Sequence, residues 1–383
     1  MSPPGEDFTA VLRTADAALG RYRHVVVVLL DAFGWRFLQR HAEHPLLRRL
    51  ARDGTVRALP SQFPSTTAAH VTTMHSDLGV GEHGIYEWRI WEPALGRVIS
   101  PLLYSYAGDR ERDTLAPTGL AMGDVLPVHT RYERLAQEGV ASIVAQPAAF
   151  SPSTYDRAAT RGALLAPWPD LAAGLEDLLR RAAAHEHCYA YLYTDAIDTT
   201  GHLHGPSSRA FDDVVTATLN AVHAAFFGPR APRLDDALLV LTADHGQVDV
   251  SPERVDVLDE LWPGLPGALA PDATGAPTPP AGSARDVFLH VAPERVDEAV
   301  AALAAALGDR GTVHRTADLV AAGRFGAAGP RLLERVAPVC VLPGPGRMAW
   351  TRAHEGIERR FLGHHGGLHP DEAQTFVATI PLA

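Results

Sequence analysis

The sequence predicts an α/β protein: a doubly wound, mostly parallel sheet carrying a small α+β insert as a cap. Three observations predict it. Apolar, β-branched runs such as Val25–Leu30 alternate with helical patterns, which is how helices come to cover both faces of a parallel sheet. Three of those runs end in acidic clusters, at Asp31, at Asp195 with Asp198, and at Asp244. The stretch 263–284 breaks the alternation with Pro/Gly-rich composition, and a compact strand–helix pattern follows it.

Residues 8–19 read as a short helix, and 24–30 as a central strand buried on both faces. Residues 35–53 look helical, with Phe37, Leu38, Leu46, Leu47 and Leu50 on an apolar side and Gly54 ending them. An Ala-rich helix start follows at 67–75. Strands are expected at 140–145, 188–193 and 237–242, with helices at 169–184 and 209–227. The stretch 263–284 reads as a linker, and 285–345 as the insert, with strands at 286–291, 311–315 and 337–342 and a helix at 293–307. The chain then returns to the core, so that 1–262 and 346–383 form the catalytic unit.

A hydrophobic content of 46% in 383 residues is enough to bury a core of this size. The net charge of -11 argues against a nucleic-acid duplex as partner, because a phosphate backbone calls for a basic face. A small phosphorylated substrate stays compatible, since bound metals reverse the local field. The chain has no lysine; the codon bias of a GC-rich genome explains this more simply than a preference for arginine at anion sites. Cys188 and Cys340 sit in apolar runs and read as buried thiols, which excludes a Cys-based zinc site. The N-terminus shows no signal pattern, and the run at 25–30 is too short to span a membrane. The expectation is a cytoplasmic protein without a membrane partner.

In an open α/β sheet, sites form beyond the carboxyl ends of the strands. Carboxylates and imidazoles gathered there are what a divalent transition metal needs. Asp198 and His202 lie four residues apart after one strand, Asp244 and His245 are adjacent after another, Asp31 adds a carboxylate and His365 an imidazole. Six ligands exceed one tetrahedral zinc and fit two metals with three each. Two metals can clamp the attacking and leaving oxygens of an in-line phosphoryl displacement. A single Asp after a strand is more often a turn or capping residue, so the joint occurrence carries the reading.

Asp31 after the first strand, Asp-x-x-x-His at 198–202, Thr-Ala-Asp-His-Gly at 242–246 and Gly-His-His-Gly at 363–366 resemble the alkaline phosphatase superfamily. Within it the chain is similar to the type I phosphodiesterase/nucleotide pyrophosphatase family, over about residues 24–380. The resemblance implies two zinc ions, with manganese an alternative at such a site. Asp31, Asp244 and His245 would hold one together with the nucleophile oxygen; Asp198, His202 and His365 would hold the other. Asp195 would orient a ligand from behind, and His364 and His369 would lie behind the ligands or at the surface. The implied nucleophile is a hydroxyl at a helix N-terminus. Counting back nine from Ser76, where relatives carry Thr-Gly, gives Thr67, with Thr66 the close competitor and Ser65 behind it.

The activity implied is hydrolysis of a small phosphate ester, diesters above all, through a covalent phospho-threonine. Two alternatives stay open. A phosphomonoesterase would need a cation at the extra phosphate oxygen, from Arg89 or Arg285, and a binding protein could keep the metals without catalysis. No Cys-x-Pro-x-Arg or Ser-x-Pro-x-Arg site for a sulfatase is present. Nucleotide recognition is not implied: Ala68 replaces an aromatic after the nucleophile, Trp88 stands where relatives have Asn, and Ser76-Asp77 replaces Thr-Gly. Tyr86 and Trp88, with Trp91, are candidates to line a pocket for another leaving group.

Overall fold

The computed structural model describes residues 6–126, 129–229, 234–352 and 356–382. Seven strands form the central sheet: β1 (His24–Leu30), β2 (Thr55–Pro60), β3 (Ala141–Pro147), β4 (Leu164–Trp168), β5 (Cys188–Thr194), β6 (Ala237–Thr242) and β7 (Gln374–Leu382). Their spatial order is β2-β7-β6-β1-β5-β3-β4. Only β7 runs against its neighbours, so the sheet is mostly parallel as expected.

Helices cover both faces: α1 (Ala10–Leu19), α2 (Trp35–Arg40), α3 (Pro45–Asp53), α4 (Thr67–Ser76), α5 (Arg131–Gln137), α6 (Leu171–Ala182), α7 (Ala196–His204) and α8 (Arg209–Phe227). Side chains alternate across β1, and the two sets feed different layers. Val26, Val28 and Leu30 pack with Phe37, Leu47, Leu178 and Phe211. Val25, Val27 and Leu29 pack with Val11, Met74 and Leu135. The helix expected over 35–53 is two helices, because Pro45 lacks the N–H needed to continue the first and instead opens α3, where the His44 side chain accepts from Leu46 N.

The register of the sheet positions the site. Leu30 lies opposite Thr194 and Leu29 opposite Thr242, so Asp31, Asp195 and Asp244 emerge at one edge.

The insert holds a four-stranded sheet in the order Ala281–Ser283, Asp286–Leu289, Val339–Pro343, Gly311–Arg315, with helix Val296–Leu307 packed against it. The stretch 263–284 is more than a linker. Its helix Leu265–Ala268 buries Leu265 and Ala268 in the insert core, and its end supplies the strand Ala281–Ser283. Pro and Gly shorten elements without preventing the residues between them from packing, which is why the composition read as a loop. A small sheet at Ile90–Glu92, Arg97–Ser100 and Ser105–Tyr106 was not expected; Ile90 and Ile99 share one apolar cluster with Phe288, Phe325 and Cys340 of the insert. Among the described residues, no helix is long and apolar enough to cross a membrane.

Candidate active site

The six ligands expected from the sequence converge at the carboxyl edge of the sheet as two triads. Asp31, Asp244 and His245 present ligand atoms within 4.8 Å of one another, and Asp198, His202 and His365 do the same. The first triad hangs directly on the sheet, from the ends of β1 and β6. Asp244 Oδ1 accepts from Ala32 N at 3.0 Å and His245 N at 2.9 Å. Asp244 Oδ2 is buried without a hydrogen bond, 3.3 Å from His245 Nε2. Tyr193, at the end of β5, donates its hydroxyl to Asp31 Oδ2.

The second triad is assembled from α7 and the segment after residue 362. Asp198 and His202 are one helical turn apart, with Nε2 3.2 Å from Oδ2. His365 Nε2 lies 3.5 Å from Asp198 Oδ1. The His245 and His365 rings stack at 3.8 Å, so the triads share a wall.

Each of the three imidazoles places Nδ1 against a backbone carbonyl: His202 on Gly363 at 2.8 Å, His245 on Gly246 at 3.0 Å and His365 on Ser65 at 2.9 Å. A carbonyl only accepts, so Nδ1 carries a proton and each Nε2 is turned inward, able to offer a lone pair to a cation once it is deprotonated. Burial, then the Asp244 and Asp198 carboxylates, push Asp31 well above the usual carboxylate range. Burial acts the same way on Asp198, but the paired His202 holds it below that range. Burial, then His245, holds His365 far below an ordinary histidine, as a neutral imidazole. Crowded carboxylates, an unpartnered carboxylate oxygen and inward Nε2 atoms form a donor set that divalent cations fit.

Helix α4 opens at Thr67 behind an extended Thr66. Thr67 Oγ1 lies 3.3 Å from each Asp31 oxygen and 3.2 Å from His245 Nε2. Thr66 is 2% exposed, on the wall of the same cavity as Glu87. Ser65 Oγ donates to Gly367 O and accepts from Gly366 N. Of the three hydroxyls, Thr67 is the one that meets a triad, and it does so where the amides and dipole of a helix N-terminus favour an anion.

A cavity of about 380 Å³ opens over Thr67. Trp88 lines it and is 37% exposed. Tyr86 is a correction: it is fully buried in the cap, its ring 5.0 Å from Phe288, because the cluster with Phe288 and Phe325 buries the whole ring where the cavity would leave it wet. Trp91 rests on His290 of the insert. Asp195 lies on the cavity wall and accepts from Thr199 Oγ1 at 3.3 Å. His364 is buried edge-on to His202, with Nε2 3.6 Å from Glu358 Oε2, and it also lines the cavity. His369 caps the helix Pro370–Ala373 by accepting from Asp371 N. Arg89 lines the cavity in an ion pair with Glu358 at 2.8 Å, whereas Arg285 is buried against Glu372 at 2.6 Å.

Residues at the site that the sequence does not single out include Tyr193, Phe361 and Glu87. Tyr193 grips Asp31; its one visible signal is the alternation Tyr189, Tyr191, Tyr193 along a strand. Phe361 stacks on His202 at 4.2 Å. Glu87 is fully buried on the cavity wall, and burial together with nearby Glu358 pushes its carboxyl up to about 7.

A hydroxyl at a helix N-terminus beside two cation-ligand triads, at the carboxyl edge of a doubly wound sheet, is the arrangement of an alkaline phosphatase-like hydrolase. The profile of the family described as type I phosphodiesterase / nucleotide pyrophosphatase matches residues 25–368, and the chain belongs to that family of metal-dependent hydrolases. The structure is similar to murine ectonucleotide pyrophosphatase/phosphodiesterase 5, solved as an inactive form in complex with AMP, with a TM-score of 0.69 at 18% identity over 92% of this chain and 87% of that one. The same murine protein, in a second structure, gives a TM-score of 0.68 at 18% identity, and the human protein 0.69 at 17%, each with the same coverage. At these identities the likeness establishes the fold. No match is found among curated protein sequences.

Proposed function

We propose that this protein hydrolyses phosphate diesters through a covalent intermediate on Thr67. The observation that carries the reading is the position of Thr67 Oγ1, within 3.3 Å of both Asp31 oxygens and 3.2 Å from His245 Nε2. Thr67 attacks phosphorus and the bond to the leaving oxygen breaks; water then attacks the same phosphorus and returns the threonine hydroxyl. Asp31, Asp244 and His245 would hold one divalent cation and Asp198, His202 and His365 another, zinc first by this donor set and manganese as the alternative. When bound, such cations lower the pKa of a hydroxyl and neutralise charge on phosphoryl oxygens. The Tyr193 hydroxyl fixes the Asp31 carboxylate beneath Thr67, and the N-terminus of α4 faces the oxygens of the transferred group.

A diester is favoured over a monoester by the commitments of the two arginines, Arg89 and Arg285, that the sequence offers for a monoester's extra oxygen. A monoester dianion calls for one more positive group at its third oxygen. Arg285 is committed to Glu372 and to the carbonyls of Gly344 and Arg347, and Arg89 to Glu358. Trp88, Phe150 and Phe361 offer apolar surface for an organic substituent. The AMP bound by the murine relative supports a small ester of nucleotide size.

Turnover of bis(p-nitrophenyl) phosphate and p-nitrophenyl phosphate tests this. Diester turnover is expected to exceed monoester turnover, to stop on chelation and to return with zinc. Thr67→Ala should lose at least ~10³-fold in kcat with both cations still bound. Full activity in that variant contradicts the covalent reading on Thr67.

A further inference from the structure

Gln247 stands two residues after His245, yet its side chain serves the other triad. It is fully buried. Its Nε2 donates to the Asp198 carbonyl oxygen at 3.1 Å and to Asp198 Oδ1. Both partners only accept, which fixes the amide with Nε2 toward Asp198. Its Oε1 then points at two glycines: a Cβ on Gly201 would lie 1.9 Å from it, and one on Gly363 would lie 3.0 Å away. Oε1 is also buried without a hydrogen bond, a cost that an apolar side chain of the same shape would avoid.

The amide therefore lies between the two segments that build one triad. Gly201 belongs to α7, which carries Asp198 and His202. Gly363 opens the segment that carries His365, and its carbonyl accepts from His202 Nδ1 at 2.8 Å. Gln247 itself is held by the turn that carries Asp244 and His245. We infer that Gln247 is the positioning residue of the Asp198–His202–His365 cation site, and that it ties the placement of that site to the Asp31–Asp244–His245 site. Its hydrogen bond on Oδ1 sets the plane of the Asp198 carboxylate and keeps Oδ2 toward His202 Nε2, 3.2 Å away. A side chain serving only as core packing would leave Asp198 to rotate.

The inference rests on the two-cation reading, and the test separates the two. The full-length, metal-free chain is titrated with zinc against a competing chelator, and with cobalt, whose visible bands report ligand geometry. Wild type is compared with Gln247→Met, which keeps length and packing but removes the donor, and with Gln247→Glu, which sets a carboxylate against Asp198. Thermal melting without metal establishes that each variant folds, and Gln247→Met decides alone where Gln247→Glu does not. Wild type is expected to bind two equivalents. Gln247→Met should weaken one of them by about 10–100-fold and shift its cobalt bands, leaving the other unchanged. Gln247→Glu should weaken the same equivalent further. Variants that bind both equivalents as wild type does, with the same cobalt bands, overturn the inference and leave the two-cation reading standing. A wild type that takes up no second equivalent overturns that reading and the inference with it.

Discussion

The two triads use the same residue types but are built in different ways. Asp31 and Asp244 follow adjacent strands, and with His245 their side chains are at most 2% exposed. Sheet register alone brings them together. Asp198 and His202 ride on α7 and His365 on a distant segment, and the Asp198 and His202 side chains are 13% and 12% exposed. Their approach depends on the Gly363 and Ser65 carbonyls and on the Gln247 amide. One site is preset by the backbone of the core, and the other by packing between segments. A site of the second kind can be adjusted by substitutions that leave the sheet untouched.

Removing ligands gives the largest expected effects. Asp31→Ala and His202→Ala should each cost several kcal/mol of transition-state stabilisation, on the order of 10³-fold in kcat/KM, measured on the diester. The comparison sharpens when metal is withdrawn slowly from wild type. The more accessible Asp198 triad should empty first and Asp31's last, with release rates apart by about 10-fold or more, followed by cobalt bands during dialysis against chelator. Simultaneous release would remove the distinction between a preset and a packed site.

A smaller effect belongs to the polar wall facing both triads. Glu87 titrates near 7 in the folded chain, against 4.5 for an ordinary glutamate. A carboxyl with a raised pKa binds its proton more tightly when folded. Its stabilising contribution is complete below about pH 4.5 and is lost as pH rises through about 7. Glu87→Gln has no such loss, so the stability of the variant relative to wild type should grow between pH 4.5 and 7, by on the order of 3 kcal/mol. Urea unfolding of the metal-free proteins at pH 5, 6 and 8 measures it, and a gap independent of pH would contradict it. The smallest effect is expected at the mouth. Trp88→Ala should raise KM for an aromatic diester by up to about 10-fold with kcat changed by less than about 3-fold. A fall confined to kcat would place Trp88 at the reacting phosphoryl group instead.

The same division decides what could be read from the sequence. The strands β1, β5 and β6 are continuous apolar runs, and each runs on into a candidate ligand segment, so core and candidate ligands are legible together. Edge strand β4 is not: Pro167 and an exposed Leu164 break its pattern. Antiparallel β7 carries Pro381 and an exposed Gln374, and it also went unread. The contacts that set the ligands were hidden for a different reason. Tyr193 reaches Asp31 across 162 residues and Gln247 reaches Asp198 across 49, and no local pattern encodes either. Tyr86 was misplaced because an aromatic next to a motif reads alike whether it faces a cavity or a core.

The proposed nucleophile is the Thr67 hydroxyl, beside the Asp31–Asp244–His245 triad. Rapid acid quench during turnover of a diester, followed by peptide mass spectrometry, tests it most directly. The phosphoryl group, still bearing its retained substituent, is expected on Thr67. The same group on Thr66, or no covalent adduct under any quench time while turnover proceeds, would contradict it.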